Sequence, residues 1–156
     1  MTALLIEQAV FKATAWGCTF TVYGEPAPGG SKIPGMAKNG KMFVRDDNPR
    51  TREWKDRVGQ VAGELMRNRE LYPGPLKLTV VFYRPRPKGH YTSKGGLTRS
   101  APKHPITKPD LTKLIRPLED ALRGIVFKDD AQICQTHAGK LYGEPARVEV
   151  KVQVLT

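Results

Sequence analysis

Two cysteines and three histidines in 156 residues leave little material for a disulfide scaffold or a zinc centre. Cys18 and Cys134 fit no metal-ligand spacing and need not pair, and neither do His90, His104 and His137 follow a zinc pattern. A reducing cytoplasm suits such a chain. No apolar run is long enough to span a bilayer, and no basic amphipathic helix marks a membrane surface. The opening MTALLIEQAVFKATAW is broken by Glu7 and Lys12 and has no basic stretch ahead of it, which excludes a secretory signal. Residues 1–16 are expected to be an extension or an added edge element before a single domain over 17–156. The Gly-rich segments do not match the nucleotide-binding loop, so no nucleotide cofactor is expected. Ser–His–Asp and Cys–His arrangements are missing, as is the aromatic strand motif of common single-strand RNA readers.

Acids are also scarce. Fifteen Asp and Glu stand against 26 Lys and Arg, for a net charge of +11 and a pI near 9.9. This balance implies a polyanionic partner, nucleic acid first among them. Hydrophobic residues make up 39% of the chain, enough for a core and against disorder.

Along the chain, Cys18–Tyr23 reads as a strand rich in Thr, Phe, Val and Tyr. GEPAPGGSKIPG follows as a loop containing Ser31 and Lys32; backbone N–H groups of such a loop can cradle a phosphate, but a turn is its first reading. Lys41–Val44 makes a short second strand. Asn48 and Pro49 then open a helix whose inner face carries Trp54, Val58, Val61, Ala62 and Leu65. Its start bears Arg50, Arg52, Lys55 and Arg57, placed for phosphates or simply solvated. Asp46 and Asp47 ahead of it are a loop before they are metal ligands. Leu76–Tyr83 is a central strand. From Arg84 to Lys108 the chain has seven Lys or Arg, no acid and no periodicity. Arg84, Arg86, Lys88, Lys94, Arg99, Lys103 and Lys108 in so long a loop suggest a phosphate-backbone clamp that orders on DNA, with Tyr91 as a weak stacking candidate. Gln132–His137 and Arg147–Leu155 are further strands, with a turn over Leu141–Pro145. The order gives an α+β domain, a mixed sheet with two main helices packed on it.

The richest stretch is Lys108–Lys140. Leu111, Leu114, Ile115, Leu118, Ala121 and Leu122 follow the helical period. Asp110 precedes them, where a carboxylate can cap the helix, and Gly124 can end it in a left-handed turn. Ile125–Phe127 is a buried strand start or a turn. A chain reversal at Gly124 would carry Asp129 and Asp130 back toward Asp110, although capping and turn formation are plainer uses for each acid. Together they are candidate ligands for a hard cation. Pro117 inside the helix is expected to kink it. Thr112, Arg116, Glu119, Asp120 and Arg123 lie opposite the apolar stripe, with Asp120 most simply paired to Arg116 or Arg123.

This stretch resembles the signature of RusA-type Holliday-junction resolvases, in which KPDxDNL opens a helix, DAL follows and DDxQV begins the next strand. Here it reads Lys108-Pro109-Asp110-Leu111, Asp120-Ala121-Leu122 and Asp129-Asp130-Ala131-Gln132-Ile133, with Lys140 downstream. Thr112 replaces the second aspartate and Lys113 the asparagine, while Arg116 occupies the place of a functional lysine. The resemblance implies a RusA-like fold and a Mg²⁺-dependent endodeoxyribonuclease, with Mn²⁺ able to substitute, that cuts four-way junctions in recombination and repair. It implies Asp110 and Asp130 as catalytic metal ligands, with Asp129 assisting. Arg116, with Lys108 or Lys140, would neutralise the transition state. It further implies a homodimer and a phage or prophage origin. The rival is a branched-DNA-binding protein without nuclease activity.

Overall fold

The computed structural model describes residues 10–30, 32–46 and 48–156. Ser31, Asp47, the side chains of Lys32, Ile33, Arg45 and Asp46, and residues 1–9 of the expected extension lie outside the described residues. Nine regular elements follow: β1 Lys12–Thr14, β2 Gly17–Tyr23, β3 Lys32–Met36, β4 Met42–Asp46, α1 Pro49–Leu65, β5 Leu76–Arg84, α2 Leu111–Leu122, β6 Ile133–Tyr142 and β7 Arg147–Val154. Five strands form one sheet in the order β1-β2-β7-β5-β6, and β3 and β4 pair as a separate antiparallel ribbon. Within the sheet β5 and β6 run parallel and the other neighbours antiparallel. The mixed α+β architecture is as the sequence indicated.

Alternation makes the core. Cys18, Phe20 and Val22 of β2 and Val148, Val150 and Val152 of β7 point to one face. Leu76, Leu78, Val80 and Phe82 of β5 join them there, and both helices cover that face in a single apolar cluster. From α1 come Trp54, Val58, Ala62 and Leu65, and from α2 Leu114, Leu118 and Leu122, all buried. Asn48 caps α1 by accepting the Arg50 N–H at 2.9 Å. No helix among the described residues is long and apolar enough to cross a membrane.

Pro117 is accommodated rather than disruptive. A proline cannot donate to the carbonyl four residues back, so Lys113 O would be left without its helical partner. Gly29 N–H supplies that bond from the loop after β2, at 2.8 Å. A Cβ on Gly29 would stand 2.7 Å from Pro117 Cγ, so only glycine admits this approach. On its other side the loop is held by the buried Thr51 of α1, whose hydroxyl donates to Pro28 O at 2.7 Å. Residues 25–29 are thus fastened between the starts of both helices.

Three local expectations change, and one open alternative is decided. β3 lies in the second half of what reads as a Gly-Pro loop. Of the two readings of Ile125–Phe127, the structure takes the turn: Gly124, at φ +83°, reverses the chain and donates to Phe127 O at 2.7 Å. β6 runs on to Tyr142 before the final turn. The basic segment after β5 is folded, with a 3-10 turn at Lys88–His90 and a bridge between Tyr91 and Leu97. Arg86 holds it by lying 4.3 Å over the Tyr142 ring and donating to Pro102 O at 2.7 Å. His90 meets the same tyrosine edge-on.

Burial pushes the Cys18 thiol up to about 12, while Cys134 is exposed. Only a thiolate attacks a thiol reagent. Titration of the native protein with a chromogenic disulfide is expected to release one equivalent promptly, and the second only after denaturation.

Candidate active site

Helix α2 begins at a point fixed by the sheet. Lys140 of β6 donates from Nζ to Thr107 O at 2.8 Å and Pro109 O at 3.0 Å. Arg84, at the end of β5, donates to Lys108 O at 2.8 Å. Three successive carbonyls ahead of Asp110 are therefore gripped by two cations from neighbouring strands. This positions Asp110 at the N-terminus of α2 without using its side chain. The expected cap is not made: the carboxylate takes no capping hydrogen bond and is 57% exposed, with Lys113 Nζ 3.9 Å from Oδ2. Lys113 would repel a cation at this place, but its own reach is long and its side chain equally exposed.

Asp110 lines a cavity of about 350 Å³ between the two helix starts. Glu25 and the fastened loop form one wall, Asn48 and Arg50 another, and Arg84, Lys108 and Lys113 complete a cationic rim. Arg50 pairs with Glu25 at 3.0 Å. Glu25 was not a candidate from sequence, and Arg50 was one only as a phosphate contact or a solvated charge at the start of α1. Nothing in the order of residues signals that these segments meet; the only hint is the fitted Gly29–Pro117 pair.

Asp130 lies against the middle of α2. Its Oδ2 accepts from Arg116 Nη1 at 2.9 Å, and Arg116 Nε sits 3.4 Å from Asp120 Oδ1. Asp120 is also 3.9 Å from Lys55 of α1. The Arg116–Asp120 pair is the structural ion pair that helix spacing suggests. Arg116 comes six residues after Asp110, about 9 Å along the helix axis. Asp110 and Asp130 thus flank the first half of one helix, with Thr112 exposed between them. Among the described residues no three His, Cys, Asp or Glu are grouped closely enough to hold a metal.

The turn carrying Asp130 is locked by one side chain. Gln132 Oε1 accepts from the N–H groups of Lys128 and Asp129, and its Nε2 donates to Tyr72 O and Gly74 O, each at 3.0 Å. Asp129 completes a capping box by accepting the Ala131 N–H at 2.9 Å. That hydrogen bond is the main reason its carboxyl lies below the usual range. Asp129 is therefore occupied in holding the turn, which leaves Asp130 to face α2.

Glu119 borders this cluster. Burial raises its pKa above the ordinary carboxylate value of 4.5, Arg116 opposes the shift, and Asp130 and Asp120 add to it. At a pH below the ordinary value the carboxyl is protonated whether the chain is folded or not. Between that value and its folded pKa only the folded chain keeps the proton, so stability falls as pH rises through the window. Glu119→Gln is expected to raise the melting temperature near neutral pH and leave it unchanged at about pH 3.5, as thermal unfolding at both values will show.

Of the other basic candidates, Lys88, Lys94, Arg99, Lys103 and Lys108 are exposed, whereas Arg84, Arg86 and Lys140 are half-buried and bonded to backbone carbonyls. The first group is free to meet a phosphate backbone from the folded segment; the second builds that segment and the approach to Asp110. Tyr91 is 40% exposed, and Trp54 is a core residue.

A family model described as endodeoxyribonuclease RusA matches residues 25–153. The uncharacterized protein YqaN of Bacillus subtilis (strain 168) is 36% identical over 141 residues, which is 86% of this chain and 94% of that protein.

Proposed function

The chain belongs to the RusA endodeoxyribonuclease family, and on that premise we propose that it resolves four-way DNA junctions by Mg²⁺-assisted phosphodiester hydrolysis. The family acts on branched DNA as a hydrolase. The observation that carries the finer reading is the Arg116–Asp130 pair at 2.9 Å on the helix that Asp110 begins.

The donor chemistry fits Mg²⁺. That ion takes one or two carboxylates and fills its remaining positions with waters and phosphate oxygens, so a site without a third acid is adequate. Asp110, uncommitted to a cap, and Asp130 would hold it, and Mn²⁺ would serve in its place. When bound, the ion supplies charge neutralisation at the phosphate and a more acidic water. The protein's own residues do the rest. Arg50, Arg84, Lys108 and Lys113 draw the strand to the cavity rim, and exposed Lys88, Lys94, Arg99 and Lys103 grip the arm beyond it. Arg116 holds Asp130 in place and offers its remaining N–H donors to the phosphate as negative charge builds. A homodimer would present two such sites to opposed strands.

Thr112, where the family signature has an acid, favours one other reading, a protein that binds junctions without cutting them. Product mapping on a four-way junction and on matching linear duplex separates the two. Paired symmetric nicks in the junction and an intact duplex are expected; binding with neither strand cut would establish the second reading.

A further inference from the structure

The β3–β4 ribbon has no place in the chemistry above, and its surface is unusual. Cross-strand partners Pro34↔Val44 and Met36↔Met42 share one face. Met36, Met42 and Val44 are 68%, 67% and 66% exposed on it. Among the described residues the ribbon pairs with no strand of the main sheet. A lone two-stranded ribbon is marginal in water, and an apolar face on one asks for a cover. Its tip is tight and basic: Gly40 at φ +83° closes the turn, Ala37 N–H donates to Lys41 O at 2.8 Å, and Lys38 and Lys41 are exposed. Its base leads through Asn48 and Arg50 into the rim of the Asp110 cavity. Five residues of strand reach about 17 Å from there.

We propose that this ribbon is the element that reads the branch point of the junction. Where four arms meet, base pairs lose a stacking neighbour, and an apolar wedge such as Met or Pro can cover the open face. Met36, Met42 and Val44 supply that wedge, while Lys38 and Lys41 meet the flanking phosphates. The charge at the tip suits DNA. A second copy of this chain is the weaker occupant, because two cross-strand pairs cover far less than the about 800 Å² per partner of a stable protein interface. The proposal rests on the junction-resolving reading, and it assigns structure selectivity to a surface separate from the carboxylates.

The test uses the full chain, in EDTA so that no strand is cut, on junctions carrying 2-aminopurine either at the branch point or mid-arm. Wild type is expected to change the branch-point fluorescence and not the mid-arm signal. Met36→Ser/Met42→Ser/Val44→Ser, checked for an unchanged melting temperature, is expected to lose that change and about tenfold of its preference for junction over duplex. Lys38→Ala/Lys41→Ala is expected to weaken both substrates and flatten the salt dependence by about two charges. The apolar variant keeping both signal and preference overturns the proposal, as does an equal loss on junction and duplex, which would put the ribbon in a groove. A drop in its mass by light scattering without DNA would identify a second copy as the occupant and overturn it too. Wild type without any junction preference removes the resolvase reading itself, and the ribbon's role with it.

Discussion

Arg116→Ala is expected to slow junction cleavage by about two to three orders of magnitude while changing junction affinity less than about threefold. Arg116 is 58% exposed and contacts two acids at once, at 2.9 Å and 3.4 Å. An exposed ion pair of this kind contributes little to stability, about 0–1 kcal/mol. Its value lies in where it places a guanidinium, beside the acid that would hold the cation and on the helix that starts at Asp110. Charge that grows on a phosphate in the transition state is met by a donor already in position. The loss should fall on kcat, since in the proposed reading the exposed lysines of the segment after β5 would hold the duplex and junction arms. Arg116→Lys keeps the charge without the forked geometry and should recover part of the rate. Single-turnover cleavage beside gel-shift affinity measures both quantities. Equal losses in affinity and rate would make Arg116 a binding residue instead.

Gln132→Ala is expected to cost about 2 kcal/mol, lowering the melting temperature by about 4–8 °C, and to cut the cleavage rate further than that loss explains. One side chain makes four hydrogen bonds between the acidic turn and residues 72 and 74. Water can replace those on the exposed side, which limits the cost. The position of Asp130 relative to Arg116 cannot be replaced by water. Gln132→Glu keeps the two accepting bonds and loses the two donating ones, so it should retain the local turn yet detach it from Tyr72 and Gly74. Calorimetry gives the stability change, and cleavage well below the melting temperature gives the rate. A rate equal to wild type in the folded Ala variant would show that the turn needs no such lock.

Helix α2 and its neighbours were legible because their physics is local. Leu114, Leu118 and Leu122 announce a buried face by spacing alone, and β7 does so by strict alternation. Asn48 before Pro49 is likewise a signal carried by adjacent residues. β3 was hidden because Pro34 and Gly35 sit inside it; in a ribbon outside the main sheet neither residue breaks a central ladder. The order of the segment from Arg84 to Lys108 was hidden for a different reason. Its anchors, Arg86 on Tyr142 and Arg84 on Lys108 O, join residues far apart in sequence and leave no periodic trace. The candidate site divides along the same line. Asp110, Arg116 and Asp130 belong to one signature, whereas Glu25 and Arg50 reach the cavity only through tertiary structure. Asp110 also resembled a helix cap in sequence, and the fold instead fixes its backbone from the sheet. The four-residue spacing of Arg116 and Asp120 gave their ion pair as one of two options; the second partner, Lys55, comes from α1 and could not be read there.

The central claim is that Asp110 and Asp130 serve one Mg²⁺-dependent cutting site although Thr112 stands where a further acid is usual. The most direct measurement is cleavage of an end-labelled four-way junction by wild type, Asp110→Asn and Asp130→Asn, each with Mg²⁺ and with EDTA. The expected result is paired symmetric nicking by wild type in Mg²⁺ alone, reduced by about a thousandfold in both variants while junction binding persists. Cleavage that survives either substitution, or that proceeds in EDTA, would contradict it.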